Sequence, residues 1–159
     1  MRPQHSLLLV GGLALLIPDV AALQHPAVAQ TVTQANADID LEQIHGFMIR
    51  TWHSHQHPLT LGPTHIAGDF AAADWWHQGK GGRAVFKRSH QQWQLVLCGG
   101  AGILQKTLWQ QLGMTPAAAA DFVRALQSAE QAVSANDKAL LDAFGATVNM
   151  RDGHAPQQH

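Results

Sequence analysis

The chain predicts an α+β fold: a small antiparallel β-sheet, built as a three-strand meander plus a C-terminal strand, packed against helices. Two observations carry this. Residues 69–100 hold three strand-like runs, separated by the turn signals Gln78-Gly79-Lys80-Gly81-Gly82 and Arg88-Ser89-His90-Gln91-Gln92. On both sides of this stretch, apolar residues recur at helical spacing. A sheet so apolar needs a cover, and the flanking helices supply it.

Residues 1–29 read as an export signal. Arg2 and His5 lead, an apolar run follows, and Ala27-Val28-Ala29 gives a small-x-small cleavage site. The apolar run is short and interrupted by Gly and Pro, so no membrane span is expected in the mature form. Residues 30–150 then form a single α+β domain, and 151–159 a polar, flexible, histidine-containing tail. Export places the protein in the periplasm or outside the cell. Cys98, the lone cysteine, has no internal disulfide partner and reads as a buried, inert thiol.

The first helix is expected over 38–52, after a polar lead-in at 30–37. Asp38 is placed to cap it, and Leu41, Ile44, Met48 and Trp52 follow helical spacing with Phe47 beside them. Met48 is thus assigned to the core; His45, one turn earlier, is either solvated or an additional metal ligand. A loop over 53–63 follows, because Pro58 and Gly62-Pro63 stop the helix. Thr64 to Ile66 then lead into the meander.

In the first run, Phe70, Ala72, Asp74 and Trp76 oppose Ala71, Ala73, Trp75 and His77. In the second, Ala84 and Phe86 oppose Arg83, Val85 and Lys87; in the third, Trp93, Leu95 and Leu97 oppose Gln94, Val96 and Cys98. Lys80, Arg83, Lys87 and Arg88 read as a solvated hairpin edge, where lysine discourages strand addition.

Beyond the sheet, Ile103, Leu104, Thr107 and Leu108 mark a short helix ended by Gly113. Thr115-Pro116 opens a helix reaching about Ser134, with Phe122, Val123, Leu126, Ala129 and Val133 inward. Asp137 opens another through Leu140, Leu141 and Phe144, and Gly145 stops it. Residues 146–150 form the last strand.

The net charge of −1 with 13% charged residues gives no basis for nucleic-acid binding. Enzyme signatures are missing too. Gly99-Gly100-Ala101-Gly102 lacks the spacing of a dinucleotide turn, and Asp69 and Asp74 fall on opposite strand faces. Histidine is the enriched chemistry. The mature segment holds nine of the eleven histidines and no tyrosine, which points to metal before catalysis because neutral imidazole is the commonest metal ligand. His53, His55 and His57 alternate, so an extended backbone would put all three rings on one side. Imidazole sets suit copper, zinc or nickel. Met150, His154 and His159 form a second cluster, whose thioether suits Cu(I). Both clusters also admit a solvated, ligand-free reading.

Several motifs together resemble the small bacterial proteins called copper uptake system-associated proteins. They are the export signal, Ala73-Asp74-Trp75, Gly81-Gly82-Arg83-Ala84, Trp93-Gln94-Leu95-Val96-Leu97-Cys98, and a closing Val148-Asn149-Met150 followed by histidine. The chain departs from the pattern at Ala101, where the family has an acidic residue, and the triplet is an addition here. The resemblance implies a link to copper import and no established reaction. The expectation is an exported copper-binding accessory protein, not an enzyme, that buffers copper or passes it to a copper transporter or chaperone in the cell envelope. The alternative is a non-metal module that binds a small ligand or partner. Trp52, Trp75, Trp76 and Trp93 would line its cavity, unless they simply fill the core. In outline the fold is similar to cystatin-like or NTF2-like cones, an analogy without functional weight.

Overall fold

The computed structural model describes residues 26–145 and 148–149. Helix α1 (Pro26–Trp52) precedes four long strands, β1 (Thr60–Ala67), β2 (Phe70–His77), β3 (Lys80–Ser89) and β4 (Gln92–Gly99). Short helices follow: a 3-10 turn (Ala101–Leu104), α2 (Lys106–Gln111), α3 (Pro116–Ala129), a second 3-10 turn (Glu130–Ala132) and α4 (Ala135–Ala143). A two-residue strand, β5 (Val148–Asn149), ends the order. All pairings are antiparallel, and the sheet runs β1-β2-β3-β4-β5 in sequence order. This is an α+β fold.

Helix α1 is longer than expected. Pro26 suits a first helical position, and no Gly or Pro interrupts the chain before Gly46. Asp38 therefore lies inside the helix rather than at its cap. The expected signal segment lies outside the described residues except for 26–29, which open α1. Met150 and the tail at 151–159 are also outside them. Among the described residues, no helix is long and apolar enough to cross a membrane.

Strand β1 corrects the expected loop, starting at Thr60 and running through Gly62-Pro63. A register shift between Leu61 and Thr64 absorbs the proline, which is tolerable because β1 is an edge strand. Gly62 is required there, since an added Cβ would lie 2.3 Å from the Trp76 ring. The β2–β3 turn uses Gln78 at φ 52° and Gly79 at φ 71°, positive at both positions as a tight hairpin demands. Lys80 to Gly82 belong to β3 rather than to this turn.

The sheet is covered on both faces. On one, Ala72, Val85, Val96 and Leu97 pack under Ile103, Trp109, Phe122, Val123 and Leu126 of the C-terminal helices. On the other, Ala71, Ala73, Ala84, Phe86, Trp93 and Cys98 pack under Ile44 and Met48 of α1. Simple alternation fails in β4. Val85 pairs with Leu97 and Phe86 with Leu95, so Val96 is an extra residue. This bulge puts Val96 and Leu97 on the same face, and Cys98 joins Trp93 and Leu95 on the other.

Helix starts follow capping chemistry. Thr115 Oγ1 accepts from the Ala118 amide at 3.2 Å, as expected. For α4 the cap is Ser134, not Asp137: the Asp137 amide donates to Ser134 Oγ at 3.1 Å, and Ser134 Oγ donates to Asp137 Oδ2 at 2.8 Å. Helix α3 ends at Ala129, which is exposed, and the next residue, Glu130, is the buried one.

Candidate functional site

The histidine triplet occupies the connection between α1 and β1, and it is folded back rather than extended. The Ser54 amide donates to the His57 carbonyl at 3.1 Å, and the His57 amide donates to Ser54 Oγ at 3.0 Å. Alternation onto one side, which needs an extended backbone, therefore does not hold. His53 is already employed: its Nδ1 accepts the Leu59 amide at 3.2 Å. A neutral imidazole accepting at Nδ1 carries its proton on Nε2, so His53 offers no lone pair while that bond stands. His55 and His57 are exposed.

The fold adds a residue that the spacing of the triplet did not reveal. The end of β2 brings His77 against the turn, with the His57 and His77 ring centroids 6.3 Å apart. His77 Nε2 lies 3.2 Å from the His57 carbonyl, which can only accept. Nε2 thus carries the proton and Nδ1 keeps its lone pair. The β1–β2 pairing of Thr60 with Trp76 sets this meeting, a long-range register that no local motif encodes. Among the described residues, no three His, Cys, Asp or Glu side chains are grouped to hold a metal ion. His45 is apart from this end, with Nε2 2.9 Å from Thr64 Oγ1. The second expected cluster, Met150, His154 and His159, lies outside the described residues.

A second polar centre lies in the interior, and here the expectation of a solvated basic edge, which holds for the exposed Lys80, is overturned for Arg83. Arg83 is fully buried. Its Nε and Nη2 donate to both carboxylate oxygens of Glu130 at 2.7 and 2.9 Å, the fork-on-fork geometry that favours arginine. Nη2 also lies 3.0 Å from Asp142 Oδ1, and Nε 3.9 Å from Asp74 Oδ1. Lys138 Nζ stands 4.0 Å from Glu130 Oε2. Asp74 is fully buried, and among the described residues neither of its carboxylate oxygens has a hydrogen-bond partner. Burial pushes its carboxyl up to about 7, helped by Glu130 and Asp142 and opposed by Arg83 and Lys138.

Lys87 and Arg88 are engaged as well, while Lys80 is exposed. Lys87 Nζ donates to the Leu112 carbonyl at 2.8 Å. Arg88 donates to Asp40 Oδ2 at 2.6 Å and lies over the Trp93 ring, 4.4 Å from its centroid. Trp93 Nε1 donates to Asp40 Oδ1 at 3.1 Å, so Asp40 ties α1 to the sheet. Cys98 is buried, and desolvation pushes its thiol up to about 12, which fits an inert side chain. Among the tryptophans, Trp93 is buried, while Trp75 packs between Trp52 and Phe144 at centroid distances of 6.4 and 5.1 Å. An open groove of about 370 Å³ is lined by Gly79, Lys80, Gly81, Leu140, Ala143, Phe144 and Gly145.

Comparison of this chain with protein-family models, with curated proteins and with solved structures finds no match, so neither the copper-uptake resemblance nor the cystatin-like or NTF2-like outline gains support from a relative.

Proposed function

We propose that the chain is an exported copper-binding accessory protein that buffers copper or passes it to an uptake system. The observation that carries this reading is the meeting of His57 and His77 at the exposed end of the sheet. Two imidazoles at this range, with His55 on the same turn, give a nitrogen-only donor set suited to Cu(II). Met150, His154 and His159 would supply the softer set for Cu(I). Ligands on an exposed turn are accessible to a partner, as transfer requires. A transporter or copper chaperone in the cell envelope is the partner this implies.

The test is a titration of the protein with Cu(I), Cu(II) and Zn(II) against a competing chelator. The His57→Ala/His77→Ala double variant is expected to weaken Cu(II) binding at least about tenfold, roughly 1.4 kcal/mol. His53→Ala is expected to leave Cu(II) affinity near wild type and instead to lower stability by about 1 kcal/mol, through the lost Leu59 hydrogen bond. Binding should fade in acid, because a protonated imidazole has no lone pair for metal. If no ion binds more tightly than roughly micromolar, the copper reading fails. The second reading, a small-ligand or partner module, would then rest on the groove beside Leu140 and Phe144.

A further inference from the structure

Helix α4 is fastened to the sheet through the buried charge cluster. It contributes Asp142, 3.0 Å from Arg83 Nη2, and Lys138, 4.0 Å from Glu130 Oε2. Its C-terminal end presses on Gly100, where an added Cβ would lie 2.4 Å from the Phe144 carbonyl oxygen. Asp74 sits in β2, opposite Arg83 in the register. The charged groups around it come from three elements: Arg83 from β3, Glu130 from the 3-10 turn, and Lys138 and Asp142 from α4. From β1 the uncharged bulge faces it, with Gly62 against its Cβ. With Asp74 protonated, two acids face two bases. With Asp74 ionised, three acids face two bases, and among the described residues the extra charge has no hydrogen bond to hold it.

We propose that α4 is a proton-controlled latch: it docks tightly on the sheet while Asp74 holds a proton and loosens when that proton is released. Undocking α4 would admit water to the Asp74 carboxylate and separate it from Asp142. The ionised form therefore favours the undocked arrangement, and the neutral form favours the docked one. The proton leaves to bulk water, and no other reactant is needed.

The experiment is hydrogen exchange on the full chain between about pH 6 and about pH 8, corrected for intrinsic exchange, with α3 as the internal control. Protection of the α4 amides is expected to fall about tenfold over this range while α3 holds. Asp74→Asn should abolish the pH dependence. Lys138→Gln, at a part-exposed site, removes a positive neighbour and should move the fall to higher pH. It decides the matter if Asp74→Asn does not fold, since an unmoved profile there refutes the latch. A flat wild-type profile, or equal losses in α3 and α4, overturns the proposal.

Discussion

At the scale of single residues, Arg83 shows how a charge is made tolerable in a core. Three carboxylates lie within 4 Å of its guanidinium nitrogens, and Glu130 takes two hydrogen bonds in one plane. Removing the arginine alone would leave Glu130 and Asp74 buried with the part-exposed Lys138, 4.0 Å from Glu130, as the remaining counter-charge among the described residues. Arg83→Met is therefore expected to cost about 3–5 kcal/mol in urea denaturation. Adding Glu130→Met should recover much of that loss, because an apolar pair needs no compensation. Recovery would assign the cost to the stranded acid rather than to lost packing. Arg83 also marks a limit of sequence reading. A lysine- and arginine-rich hairpin does resemble a solvated edge, and the acids that bury Arg83 lie 9 positions before it and 47 and 59 positions after it. No local pattern joins them.

At the scale of elements, much was legible because the signals are local. The centres of the two turns at Gln78-Gly79 and His90-Gln91, the Thr115-Pro116 start, the Gly113 stop and the inward Phe122, Val123 and Leu126 all appear where their chemistry predicts. Non-local registers were not legible. The Val96 bulge depends on how β3 pairs with β4, and β1 depends on a partner strand that tolerates Gly62-Pro63. The His57–His77 contact belongs to the same class, since strand pairing brings together residues twenty positions apart. Gly100 is a comparable junction. The Phe144, Asp142 and Leu141 carbonyl oxygens would stand 2.4, 2.7 and 3.1 Å from an added Cβ. These atoms are backbone and cannot rotate away. Gly100→Ala is thus expected to destabilise by about 1–3 kcal/mol, with the loss of protection greatest in α4. A neutral result would mean that the helix end relaxes without cost.

At the scale of the whole molecule, buried titratable groups set how stability depends on pH, and they pull in opposite directions. Desolvation raises the Asp74 carboxyl to about 7, above its ordinary value of about 4. Below about pH 4 both folded and unfolded chains hold this proton, so the full stability is present. As pH rises from about 4 to about 7, the unfolded chain releases the proton while the folded one retains it, and stability falls. Above about 7 the loss is complete and constant. His45 and His65 act the other way. Burial lowers both, so the folded chain resists their protonation; His65 lies edge-on to Phe122 at 4.7 Å. Their contribution is whole above about pH 6.5 and is lost as pH falls below it. The Tm is therefore expected to peak in mildly acid solution, to decline toward pH about 7 and to level off above it, in calorimetry with metal excluded. Asp74→Asn removes the decline that ends near pH 7 but leaves the one below about pH 6.5, so its optimum should move upward and its Tm at about pH 8 should exceed that of the wild type. If the variant is instead less stable at every pH, Asp74 is held ionised by Arg83, and the charge at the centre of the fold stabilises it.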